Sequence, residues 1–207
     1  MRLFADRGFK GTSVSEIEAA AGLRPGSGGL YHHFGSKDAV LAAGVARHLA
    51  RLDALRQIRV VFRGIGDLEV ALALTARYYL AELDSQTELL RVLASEARRR
   101  PDLLTDAVEH LVASTFSSFA EWLAEESGRP VEELQPLARL ALGALLSTRL
   151  TVDVLGCPLP SGDDEQLVAT WTAMVLPLVT GPPAPTGQKR RPRAPFASPV
   201  GGATMLG

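Results

Sequence analysis

Between Thr12 and Leu41 helix signals and turn signals alternate so closely that few folds accommodate them. Ser13 followed by Glu16 is a capping-box pattern, in which a hydroxyl and a carboxylate satisfy free N–H groups at a helix start. Val14, Ile17 and Ala21 then share one apolar face, and Gly22 ends that helix. Arg24-Pro25-Gly26-Ser27-Gly28-Gly29 is a turn-forming run. Leu30-Tyr31-His32-His33-Phe34 follows as a short helical stretch, and Gly35 breaks it. Ser36 opens a long helix through about Val61, with Asp38 near its start. Upstream, a short helix covers residues 2–7 and stops at Gly8. Two short helices joined by a Gly-containing turn, followed by a long third helix, make a helix-turn-helix unit.

The remainder reads as helix punctuated by Gly and Pro, and strand signals are nearly absent. Helices are expected at 67–84, 86–99, 102–127, 131–155 and 163–179. Breaks fall at Gly64 and Gly66, Pro101, Gly128-Arg129-Pro130 and Gly156-Cys157-Pro158. The predicted fold is all-α. A three-helix helix-turn-helix head spans residues 1–45, a C-terminal helical bundle 46–180, and a disordered, Pro-rich basic tail 181–207. The tail's Gln188-Lys189-Arg190-Arg191-Pro192-Arg193 cluster either adds non-specific phosphate affinity or is only solvated.

Charge is unevenly spread. Residues 1–63 hold 10 Lys/Arg against 5 Asp/Glu, residues 64–180 hold 8 against 18, and residues 181–207 hold 4 against none. A basic head on an acidic body suits a head that meets a polyanion. With 46% hydrophobic residues a sizeable core can form, yet no apolar run reaches the ~18–20 residues that span a membrane. The N-terminus lacks the apolar centre of a signal peptide, so a cytoplasmic location is expected. Cys157 is the single cysteine, which excludes an intrachain disulfide or a cysteine zinc cluster. Histidines 32, 33, 48 and 110 show no metal spacing, and no nucleophile has an assignable base, so no catalytic or metal site and no cofactor is expected. Gly26-Ser27-Gly28-Gly29 is no phosphate-binding loop, because it lacks the preceding strand and the Gly-Lys-Ser/Thr ending.

On a helical wheel of about 100° per residue, Leu30 and Phe34 lie about 40° apart and face the core. His32 points directly away, which places it to enter a DNA major groove. Tyr31 and His33 flank the core face and are placed for phosphates at the groove edges. Phosphate contacts fix position, and base contacts fix sequence. Ser36-Lys37 at the next helix start, and Thr12 and Ser13 at the earlier one, favour phosphates as well. The bland alternative makes Tyr31, His32, His33 and Lys37 ordinary surface residues.

The segments Phe4-Ala5-Asp6-Arg7-Gly8-Phe9, Thr12-Ser13-Val14, Ile17, Ala21-Gly22-Leu23 and Leu30 through Leu41 recur in order at close to the spacing of a known family. In these the chain resembles the TetR family of helix-turn-helix regulators. The resemblance implies double-stranded DNA as partner, a palindromic operator, and DNA contacts from Thr12, Ser13, Arg24, Ser27, Gly29, Tyr31, His32, His33 and Lys37. It implies a homodimer and, most often, a repressor released by a small-molecule effector bound in the helical body. A regulator or adaptor without an effector is the alternative, and an enzyme fits poorly.

Candidate effector-binding residues are Tyr78, Tyr79, His110, Phe116, Phe119, Trp122 and Arg149, with plain core packing as the alternative for each. A buried Arg149 needs an anionic partner, a ligand or an intersubunit salt bridge. The expected dimer interface uses the last two helices through Leu142, Leu145, Leu146, Trp171, Val175 and Leu178, stripes that equally suit a monomer core.

Three features depart from the family pattern. The turn between Leu23 and Leu30 holds six residues where four are usual. Glu18 stands where a small residue usually packs, and its carboxylate is expected to accept N–H bonds from the Gly-rich segment and cap the recognition helix. The first helix is one to two turns short, so either the natural start lies upstream or the helix is simply brief.

Overall fold

The computed structural model describes residues 1–56, 65–157 and 163–181, with side chains described except at 51–56 and 110–112. Among these residues the chain is all-α, with no strand. The head comprises α1 (Arg2–Gly11), α2 (Val14–Ala20), α3 (Gly29–His33) and α4 (Lys37–Arg56). The body comprises α5 (Leu68–Ser85), α6 (Thr87–Glu96), α7 (Pro101–Ser127), α8 (Val131–Arg149) and α9 (Asp164–Thr180).

Most of the punctuation acts as expected, and Gly8 is the exception. Gly8 has φ 69° and ψ 170°, and it kinks α1 rather than ending it, so one further turn reaches Gly11. Asp67 caps α5 by accepting the N–H groups of Glu69 and Val70. Pro101 opens α7, where its missing N–H costs nothing. Gly128 closes α7 in the left-handed conformation that glycine adopts without steric penalty. The helix expected over 131–155 is α8 followed by a π-helical turn, Leu150–Val154. Its wider spacing sets Leu155 N–H on Leu150 O at 3.0 Å. The expected end of the long helix near Val61 and the tail from 182 onward, with its basic cluster, lie outside the described residues.

Among the described residues two apolar cores form. The larger joins α5, α7, α8 and α9, with Leu72, Phe119, Leu123, Leu134, Leu142 and Leu145 fully buried. Each such side chain contributes roughly 1.5–3 kcal/mol by leaving water. Trp171 of α9 lies in the same core and donates its indole N–H to Ala141 O at 2.7 Å, which ties α9 to α8. The smaller core gathers Phe4 and Phe9 of α1, Leu41 and Val45 of α4, Leu89, Val92 and Leu93 of α6, and Leu104 of α7. It straddles the boundary expected at residue 45. α7 has 27 residues, about 40 Å at 1.5 Å per residue. Its first turns enter the smaller core and its last turns the larger, so one continuous helix spans both.

This packing corrects the expected interface. Leu142, Leu145, Trp171 and Val175 are buried inside the single chain and have no surface to offer a partner. Leu146 is half-buried, and Leu178 alone of the six is exposed. Leu140, Met174 and Leu178 are the large apolar side chains that α8 and α9 leave in solvent. Helical spacing identified the stripes but not which stripe faces inward.

Candidate nucleic-acid interface

α2 begins with the predicted capping box. Ser13 Oγ accepts the Glu16 N–H at 3.2 Å, and Glu16 Oε2 accepts the Ser13 N–H at 2.7 Å. That backbone bond, then the Ser13 hydroxyl, and then Arg7 hold the Glu16 carboxyl below its ordinary range. Ser13 is exposed, but its hydroxyl is already engaged in the cap.

The Glu18 expectation holds. Its side chain is fully buried. Oε2 accepts the Gly26 N–H at 2.7 Å, and Oε1 accepts the Leu30 N–H at 3.1 Å. Leu30 is the second residue of α3, so a buried carboxylate from α2 caps the recognition helix across the six-residue turn. Gly26 and Gly28 carry φ of 74° and 75°, which a side chain would strain. Ser27 closes the same turn by donating from both N–H and Oγ to Arg24 O.

α3 buries Leu30, leaves Phe34 half-buried, and exposes Tyr31, His32 and His33 together. Tyr31 is 55% exposed, and the two imidazoles meet edge-on at 5.2 Å. Arg24 and Ser27 are exposed beside them, and Gly29 is half-buried against Leu23.

Two expected phosphate ligands have other work. Thr12 is fully buried, and its hydroxyl donates to Leu3 O at 3.0 Å and Gly8 O at 2.9 Å. It closes the kinked α1 and cannot reach DNA. Lys37 Nζ donates to Phe9 O and Thr12 O, both at 2.7 Å, and lies 4.2 Å from the Phe9 ring centroid. Two of its three donors therefore terminate α1. Ser36 Oγ accepts the Ala39 N–H at 3.0 Å and caps α4.

A cluster that the sequence did not disclose joins head to body. Phe9 meets two cations, with the Arg100 guanidinium carbon 3.4 Å and Lys37 Nζ 4.2 Å from its ring centroid. Buried Glu96, at the end of α6, accepts the Phe9 N–H at 3.2 Å. Arg100 also pairs with Asp38 at the start of α4. Glu96 lies 87 residues from Phe9, and no local pattern marks the pair.

In the body, Arg149 is 16% exposed at its side chain and anionically paired within the chain. It donates to Asp84 from Nε at 2.6 Å and to Asp164 from Nη2 at 2.7 Å. These bonds raise the Arg149 pKa and lower that of Asp164. Its guanidinium therefore joins α8, the end of α5 and the start of α9, and is not available to a ligand. Phe119 and Trp122 are likewise core residues, stacked at 5.7 Å. Tyr78 and Tyr79 are half-buried, and the His110 side chain lies outside the described residues. Phe116 does border a cavity, a half-open cleft of about 590 Å³ between α7 and α8. Val108, Glu109, Ala113, Ser117, Gln135 and Arg139 complete its wall.

Among the described residues no group of His, Cys, Asp or Glu is placed to hold a metal, and no helix is long and apolar enough to cross a membrane. Geometrically the head is a helix-turn-helix unit: a short capped helix, a closed turn, and a second helix presenting three side chains to solvent. Residues 1–43 match the family model of bacterial regulatory proteins of the tetR family. The match supports a TetR-family regulator, with the head as its helix-turn-helix domain and DNA-binding control of transcription as its class of function. No curated protein matches the chain.

Proposed function

We propose that the chain is a cytoplasmic, homodimeric repressor that holds a palindromic operator and leaves it when a small molecule enters the body. The observation that carries DNA readout is the joint exposure of Tyr31, His32 and His33 on a helix anchored from behind by Leu30 and Glu18. Residues 1–45 serve as the reading head, with His32 on base edges and Tyr31, His33, Arg24 and Ser27 on the backbone. Residues 46–180 serve as sensor and dimerisation body. Ser13 has both its N–H and its hydroxyl engaged by Glu16 and drops out of this reading, Gly29 contributes at most through its backbone, and Lys37 through its one remaining donor.

The effector reading is supported by the cleft beside Phe116, whose volume of about 590 Å³ lies in the range of small-molecule sites. The close filling around Phe119 and Trp122 favours a second reading, a regulator with no effector. The dimer reading draws on Leu140, Met174 and Leu178, apolar side chains that a partner's α8 and α9 would cover. Two heads on one dimer would meet half-sites about one helical turn, or a multiple of it, apart.

Duplexes enriched by the protein from a random pool supply the test. His32→Ala should weaken binding to the enriched duplex about tenfold, as a lost base contact of about 1–3 kcal/mol requires, and Tyr31→Ala should weaken it as well through a lost backbone contact. Circular dichroism should stay unchanged. Undiminished affinity in both variants would refute the assignment of α3 as the reading helix.

A further inference from the structure

We propose that Glu18 is the positioning residue for DNA sequence readout, so that it governs discrimination between sequences rather than overall attraction to DNA. The inference rests on the DNA-binding reading of the head.

α3 has five residues, too few to hold helical form unaided in water. Its start is fixed at two points by one side chain. Glu18 Oε1 takes the Leu30 N–H inside α3, and Oε2 takes the Gly26 N–H in the turn that leads to it. The Glu18 backbone adds a third tie, because its carbonyl accepts the Leu23 N–H at 2.8 Å. The turn is therefore fastened to α2 at Leu23, Gly26 and Leu30, and Tyr31 and His32 follow directly. A change at Glu18 shifts where those two side chains stand.

The same carboxylate neutralises the N-terminal end of α3. A free helix start draws phosphate, but here an internal anion already takes a first-turn N–H. Glu18 is fully buried and presents nothing to DNA. Its loss leaves the exposed cations outside the turn, such as Lys10 and Arg47, where they are, so non-specific binding, which is electrostatic, should persist.

The test compares wild type, Glu18→Gln and Gly26→Ala as full-length chains. Each is titrated with the duplex that wild type enriches from a random pool and with a scrambled duplex of equal length, over a range of sodium chloride. Glutamine offers one acceptor oxygen where the carboxylate offers two. Gly26→Ala leaves Glu18 intact and fills open space, but strains a backbone held at φ 74°.

Both variants should bind the enriched duplex about tenfold or more weakly, the loss of roughly one good base contact. Both should bind the scrambled duplex within about twofold of wild type, with an unchanged salt slope. Equal weakening on the two duplexes, or no weakening on either, would overturn the proposal. Should Glu18→Gln fail to fold, Gly26→Ala decides alone. Failure of both to fold would make Glu18 a fold residue and also overturn it. A wild-type chain that enriches no duplex would instead refute the DNA-binding reading itself.

Discussion

Glu96 offers the sharpest perturbation of the joint between head and body. Glu96→Ala removes the acceptor of the Phe9 N–H and the carboxylate that faces Arg100. Phe9 is buried, so its bare N–H should cost about 1–3 kcal/mol. Arg100 Nε stands 3.6 Å from Glu96 Oε2 and has no hydrogen-bond partner. The guanidinium keeps its bond to Asp38 and its place over the Phe9 ring. Loss of the ion pair should therefore add about 1–2 kcal/mol, below the 3–5 typical of a wholly stranded buried charge. The expected total is about 2–5 kcal/mol. Glu96→Gln keeps an acceptor for Phe9 and should lose about 1–2 kcal/mol.

Urea unfolding at one fixed protein concentration measures the stability, since association shifts apparent values. Hydrogen exchange locates the loss. Amides of α1 and α4 should exchange faster in Glu96→Ala, while those of α8 and α9 keep their protection. A Glu96→Ala stability within about 0.5 kcal/mol of wild type, the range of ordinary surface changes, would refute the reasoning. So would loosening confined to α8 and α9.

Two further predictions address the body. Leu142→Ala should cost about 2–5 kcal/mol as a core cavity, whereas Leu178→Asp should leave the helical content intact and shift sedimentation from dimer to monomer. The reverse pattern would return Leu142 to the interface. For pH, the Asp164 carboxyl is depressed by its hydrogen bonds to Arg149 and by the nearby positive charge. Its stabilising effect is present above the unfolded carboxylate pKa of about 4 and is lost as pH falls through the lower folded value. Thermal midpoints measured from pH 5 downward should fall less steeply in Arg149→Met than in wild type, and identical slopes would count against the Asp84–Arg149–Asp164 bridge.

The head was legible because its determinants are local. A capping box joins Ser13 to Glu16 three residues on, and Glu18 meets its partners 8 and 12 residues away. Helix ends in the body were legible for the same reason, through Gly66, Pro101 and Gly128. The tertiary structure alone decided which apolar stripes of α8 and α9 face inward, because periodicity defines a face without naming its neighbour. It also decided that Arg149 meets Asp84 and Asp164, that Thr12 and Lys37 brace α1, and that Glu96 holds Phe9. Each of these depends on groups distant in the chain becoming neighbours, and only the packing of whole helices brings them together.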